Sequence, residues 1–197
     1  MESNEELEVI AFAGMDEIAS GTLTAVALAA KHVIDVHHLT NVLLLNARTS
    51  EPVEVDFRGT VEDVRARLER RQRGHAPAEV ARGPGRPKLG VVAREVTLLP
   101  RHWEWLSRQR GGASVALRRL VDEARRTHAT ADEKRIARDA TYRFMATMAG
   151  DLPGFEEATR ALYASEEFKF LSLIRAWPVD VAKHIMKLAT GLFTNDV

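Results

Sequence analysis

The stretch Val92–Arg126, "VAREVTLLPRHWEWLSRQRGGASVALRRLVDEARR", decides the fold that we predict for the centre of this chain. In its first part, Val96 and Leu98 alternate with Glu95 and Thr97. Such alternation is the period of a strand with one buried face, because successive side chains of a strand point to opposite sides. The stretch therefore opens with a short strand.

Two helices are predicted to follow this strand. Pro100 ends the strand and suits the first turn of a short helix, in which Trp103 and Leu106 are three residues apart. Gly111 and Gly112 then break that helix. The second helix has one apolar face, formed by Val115 or Ala116 together with Leu117, Leu120, Val121 and Ala124.

One strand and two helices are too little to close a core within one chain, so the pattern predicts a homodimer in which two strands pair antiparallel. Residues Arg94 to Arg126 resemble ribbon-helix-helix repressors over the full length of such proteins. The resemblance implies an intertwined dimer whose core is formed by Val96, Leu98, Trp103, Leu106, Leu117 and Leu120. Two alternatives stay open, namely a ribbon that serves only dimerisation and an intramolecular strand–helix–helix.

The same resemblance implies contacts to duplex DNA. Ala93, Glu95 and Thr97 occupy the outward strand positions that enter the major groove in such proteins. The backbone amides from Gly112 through Ala113 to Ser114 lie at the start of the second helix, where free N–H groups and the helix dipole bind phosphate. Glu95 departs from the pattern, because Arg, Lys, Gln or Asn reads bases more often than a carboxylate, which accepts from cytosine N4.

The tract before the strand, "GPGRPKLG" (Gly83–Gly90), contains Gly85-Arg86-Pro87, which resembles the core of an AT-hook. In that motif an extended Arg-Pro segment lies in a narrow A·T minor groove, which attracts arginine. Arg82 and Lys88 flank Arg86 and are expected to meet phosphates. The alternative is a basic Gly/Pro linker without a DNA contact.

Charge is strongly segregated although the net charge is zero. Residues 1–61 contain three basic and ten acidic residues, whereas residues 62–129 contain sixteen basic and eight acidic ones, and residues 130–197 are close to neutral. This asymmetry predicts a polyanionic partner for the middle of the chain. The alternative is that the arginines solvate helix faces or pair with the acidic N-terminal part.

The flanking regions predict an α+β fold of four segments. Residues 1–72 are predicted to form a small α+β domain. It begins with two short strands and a helix capped by Thr22. Strands at Asn41–Ala47 and Val53–Gly59 then form a hairpin, and a helix capped by Thr60 follows. Residues 73–90 are a basic Gly/Pro linker, and residues 91–129 are the ribbon-helix-helix segment. Residues 130–197 form a helical domain of four helices, in which Ser165 is an expected N-cap.

Enzymatic and membrane signals are weak. The chain has no cysteine, no signal peptide, no apolar run of about 20 residues, and no P-loop, Gly-x-Ser-x-Gly or Gly-x-Gly-x-x-Gly motif. His37 and His38 lie near Asp35, but adjacent histidines point apart, which disfavours a metal site. We therefore expect a cytoplasmic protein that is not an enzyme, with no catalytic residue, metal, cofactor or membrane partner.

Three pieces of the chain together resemble an uncharacterised bacterial family, DUF2239. These pieces are "AFAGMDEIASGTL", the stretch from Gly85 to Arg125, and "YRFMATMAGDLPGFEEATRALYA" with "WPVDV". That resemblance implies no activity. The residues themselves predict a dimeric DNA-binding protein, a transcriptional regulator or a nucleoid-associated protein, with the ribbon in the major groove and the basic arm in the minor groove. The alternative is an antitoxin-like interaction module whose dimer binds an acidic protein.

Overall fold

The computed structural model describes residues 7–38, 41–75, 92 and 94–193. The chain divides into two compact units. The first, called the sheet unit, consists of Met1–His75 and Glu133–Val197, and the second, called the central unit, is Ala76–Asp132. The boundaries of these two units differ from those of the four predicted segments. The N-terminal α+β residues and the C-terminal helices, which were predicted as separate domains, belong to one unit.

The sheet unit is built on a three-stranded antiparallel sheet of order β2-β1-β3. The strands are β1 (Glu8–Ala13), β2 (Asp16–Thr22) and β3 (Val42–Asn46). The tight turn between β1 and β2 places Gly14 at a φ of 60°, which glycine adopts without strain. As the middle strand, β1 is apolar along most of its length and buries side chains on both faces of the sheet.

One face of the sheet packs against two helices, α1 (Leu23–His37) and α2 (Val61–His75). Thr22 caps α1 as predicted, since its Oγ1 accepts a hydrogen bond from the Ala25 amide at 3.4 Å. Thr60 and Asp63 form a reciprocal capping box at the start of α2. The apolar residues between these helices and the sheet are Val9, Ala11, Leu23, Val26, Ala27, Ala30, Leu44, Val64 and Leu68.

The other face of the sheet packs against the C-terminal helices. These are the last part of α4 (Gly112–Met148), then α5 (Phe155–Tyr163), α6 (Glu167–Ile174) and α7 (Val179–Leu188). Ile10, Phe12 and Leu45 of the sheet share one buried cluster with Phe144, Met145, Leu162, Phe170, Ile174, Trp177, Val181 and Ile185. The N-terminal and C-terminal parts therefore have a common core, because β1 offers an apolar surface to each side.

The predicted strand at Val53–Gly59 is wrong. The Val53 amide donates to the Leu44 carbonyl at 2.8 Å, but no ladder continues from there among the described residues. Side chains of α2 bind the carbonyls of the segment instead, with Arg67 donating to Asp56 O at 2.7 Å and Arg71 to Glu54 O at 3.1 Å. The alternation of Val53, Val55 and Phe57 still has a structural basis. All three side chains are partly buried against the apolar cluster between the sheet and helices α1 and α2.

Two further predictions are corrected at helix ends. Residues 112–148 form one helix of 37 residues, where two had been predicted, because no Gly or Pro interrupts the sequence between Gly112 and Gly150. Ser165 does not cap α6, since Ser165 has a φ of 57° and the N-cap position is held by Glu166.

The α+β class is confirmed, with three strands and seven helices in the described residues. No described helix combines the length and apolar character needed to cross a bilayer.

Candidate nucleic-acid interface

The predicted strand at residues 94–99 is not assigned as a strand, and the segment has no regular secondary structure. No described strand bonds to it within the chain, and Leu99 at its end has φ −66° and ψ 150°. Val96 is 54% exposed, Glu95 and Thr97 are exposed, and Leu98 is half-buried. A segment outside helices and sheets has backbone N–H and C=O groups that another strand can bind. The paired ribbon therefore stays a prediction.

The helices of the central unit are α3 (Pro100–Ser107) and the first part of α4. Pro100 occupies the first turn of α3, as predicted, and Gly111 and Gly112 separate the helices with φ values of 89° and 76°. The Gly112 amide donates to Gln109 O at 3.0 Å and is therefore engaged. Of the three amides predicted to bind phosphate, those of Ala113 and Ser114 begin the helix without an intrahelical acceptor.

The central unit lacks an apolar core of its own among the described residues. Its buried apolar side chains are Leu106, 3% exposed, and Ala116, 1% exposed, whereas Leu117 is half-buried. Eight larger apolar side chains are exposed, namely Val92, Val96, Leu99, Trp103, Trp105, Val115, Leu120 and Val121. Complete burial of one such side chain contributes about 1.5–3 kcal/mol to the free energy of unfolding. Because these side chains stay in water, the unit lacks much of the hydrophobic stabilisation that a small folded unit needs.

Five apolar residues in the first part of α4 lie on one side of the helix, whereas Val115 and Val121 lie outside it. At 100° per residue, Ala113, Ala116, Leu117, Leu120 and Ala124 share an arc of about 100°. We call this arc the apolar face. Trp103, 43% exposed, and Leu120, 40% exposed, were both predicted as dimer core, and neither is covered within the described chain.

Positive charge accompanies the exposed apolar residues. Residues 94–132 contain eight arginines and no lysine, against five carboxylates. Among the residues that the structure describes, no carboxylate lies within salt-bridge distance of Arg101, Arg108 or Arg119. The predicted arm residues Arg82, Arg86 and Lys88, and the strand residue Ala93, lie outside the described residues.

Two surface cavities in the described part of the sheet unit have volumes of about 820 and about 600 Å³. The larger lies between β3, residues 52–57 and α2, and Asp56 at its edge binds Arg58 with an oxygen–nitrogen distance of 2.8 Å. The hydrogen bond from the Arg58 side chain holds the pKa of Asp56 well below its usual range. Asp56 is therefore a fixed anion and not a group that exchanges protons near neutral pH.

Histidine chemistry gives no site in the described part of the chain. His37 and His38 belong to no described group of three metal-ligating side chains, and His38 is the left-handed C-cap of α1. His184 is buried beside the rings of Phe12 and Phe144, and burial lowers its pKa to about 4. It is the one strongly perturbed buried base among the described residues, and sequence patterns gave no signal for it because it simply occupies a core position of α7.

Comparison with known proteins identifies the chain only at the level of a family. The profile of a bacterial family described as "Uncharacterized protein conserved in bacteria (DUF2239)" matches residues 8–189. The match spans most of the chain, so the protein belongs to this family. No curated protein and no solved structure matches the chain.

Proposed function

We propose that this member of the DUF2239 family is a homodimer that binds duplex DNA through the central unit. In the proposed dimer, segment 94–99 pairs with its copy in a second chain, and the apolar faces of both chains close over the paired strands. The ribbon enters the major groove, and the arm around Arg86 follows the minor groove. The basic character of the whole middle region supports a polyanionic partner.

The observation that carries the dimer is the exposure of Val96, Trp103 and Leu120 in a unit whose segment 94–99 pairs with no described strand. A concentration of large exposed apolar side chains in one unit is typical of an interaction site. A second copy of the same unit satisfies both needs at once, because it supplies a strand for segment 94–99 and apolar side chains for the helices. Antiparallel pairing of identical strands also agrees with the two-fold symmetry of most homodimers.

DNA readout is proposed on the charge and the position of the outward strand residues. Thr97 reaches a base edge through its hydroxyl or its methyl group, and Glu95 accepts from a cytosine amino group. Ala113 and Ser114 supply helix-start amides for a phosphate. We propose that the dimer acts as a transcriptional regulator or as a nucleoid-associated protein.

The second candidate is a non-catalytic, antitoxin-like module in which the dimer binds an acidic protein. Glu95 favours it, because an exposed carboxylate in the middle of the ribbon is repelled by DNA phosphates. The two candidates share the dimer and differ in the partner. A gel shift with random and with A·T-rich duplex at near-physiological salt distinguishes them, since only the first predicts a shifted band.

The dimer is tested with a pair of aspartate variants on α4. Leu120→Asp puts a charge on the apolar face, whereas Ala129→Asp puts the same charge on an exposed position of the opposite side. Sedimentation equilibrium is expected to give a dimer for the wild type and Ala129→Asp and a monomer for Leu120→Asp, with the gel shift lost in parallel. A wild-type monomer, or a Leu120→Asp dimer of wild-type affinity, contradicts the proposal.

A further inference from the structure

A second basic surface lies on α4, opposite the apolar face. Its residues recur after seven positions, so they stack two turns apart on one side of the helix, and they are Arg118, Arg119, Arg125 and Arg126. At 100° per residue they span an arc of about 120° centred roughly opposite Leu120. All four are exposed. We call this set the arginine face.

The four arginines of the arginine face form no ion pair with the carboxylates that the structure describes. Asp122 and Glu123 stand four residues after Arg118 and Arg119, yet no salt bridge joins any of them among the described residues. Instead, Arg118 Nε donates to the Ser114 carbonyl at 3.1 Å, and Arg126 Nε donates to the Asp122 carbonyl at 3.3 Å. Each guanidinium has five N–H donors, so four remain on each of these side chains for another acceptor.

The residue type and the spacing fit a phosphate backbone. Arginine binds phosphate oxygens with two parallel hydrogen bonds, whereas a merely solvated face is equally well made of lysine. Arg118 and Arg125 are about 10 Å apart along the helix axis. That length corresponds to about three phosphates of one strand, which follow at 3.4 Å along the duplex axis.

The direction of the arginine face decides which nucleic acid it meets. In the dimer proposed above, the apolar face of each α4 turns toward the paired strands, so the arginine face turns away from the duplex that the ribbon binds. We infer that the arginine face binds a second DNA duplex, so that one dimer bridges two duplexes. This inference rests on the proposed function and adds a second site to it.

The test compares single-duplex binding with bridging at near-physiological salt. Binding is measured by gel shift of one labelled duplex, and bridging by capture of a labelled duplex on beads that carry an unlabelled one. The face variant replaces the four arginines of the arginine face with Gln, which keeps the helix propensity. The control variant removes the same charge from exposed positions of the sheet unit, namely Arg65, Arg70, Arg175 and Lys183, also with Gln.

The face variant is expected to bind one duplex within about threefold of the wild type and to capture at least about tenfold less of the second. The control variant is expected to capture as the wild type does. Unchanged capture by the face variant, an equal loss in the control, or loss of single-duplex binding in the face variant overturns the inference. A wild type that binds one duplex and captures none overturns it alone, whereas a wild type that binds no duplex overturns the proposed function as well.

Discussion

Replacing His184 with Phe is expected to remove most of the acid sensitivity of the sheet unit between about pH 6.5 and pH 4. His184 lies on α7, 3% exposed, with its ring 4.6 Å from that of Phe144 and 6.2 Å from that of Phe12, measured between centroids. Its Nε2 is buried and has no hydrogen-bond partner among the residues that the structure describes. Burial, together with a smaller contribution from the positive charge of Lys187, lowers its pKa from 6.5 to about 4.

The sign and size of the effect follow from proton linkage. Because the folded pKa is depressed, the unfolded chain takes up a proton at this histidine at pH values where the folded chain does not. The free energy of unfolding therefore falls as the pH drops below about 6.5, and the loss is complete below about pH 4. Between about pH 7.5 and 4.5 the expected loss is about 2.5 kcal/mol.

The assay is urea unfolding at a series of pH values, followed by far-UV circular dichroism. The wild type and a His32→Phe control, which changes an exposed histidine of α1, are expected to lose the same stability on acidification. His184→Phe is expected to lose little in this range, because phenylalanine does not titrate. A His184→Phe protein that keeps the wild-type pH slope refutes the assignment of that slope to His184.

Three other changes test the fold and the arm. Thr60→Ala removes the capping box with Asp63 and is expected to lower the free energy of unfolding by about 1 kcal/mol, measured by urea titration; no change would mean that the cap is not formed. Phe144→Ala opens a cavity in the core and is expected to cost about 3–5 kcal/mol, and a cost below about 1 kcal/mol would contradict its burial. Arg86→Ala with Lys88→Ala is expected to reduce the slope of log binding constant against log salt by about two, and an unchanged slope removes the arm from the interface.

Local patterns predicted the elements of the sheet unit better than their assembly. The Thr22 and Thr60 caps followed from side-chain chemistry that acts within three residues, and such chemistry is readable in the sequence. The Val53–Gly59 strand failed for a non-local reason, since Arg67 and Arg71 of α2 bind the carbonyls of that segment. Alternation reports which side chains are buried, not which backbone groups pair.

The arrangement of the core could not be predicted from the sequence either, because it also depends on contacts between residues far apart in the chain. The apolar run of β1 is compatible with one covered face or two, and only the structure reveals that Phe12 meets Phe144 across 5.5 Å between ring centroids. For the candidate interface, the sequence predicted the helix bounds near Pro100 and Gly111. The predicted boundary at residue 129 was wrong, because a polar stretch without Gly or Pro does not by itself end a helix.

A cysteine scan through Arg94–Leu99 tests the paired ribbon most directly. The chain has no cysteine, so each single-cysteine variant reports only its own position. Paired antiparallel strands bring identical residues next to the two-fold axis to Cα distances of about 4.5–5.5 Å, which is within the range of a disulfide. The account predicts rapid disulfide-linked dimers at one or two neighbouring positions of the segment. Crosslinking at every position no faster than in an exposed Ala129→Cys control would contradict it.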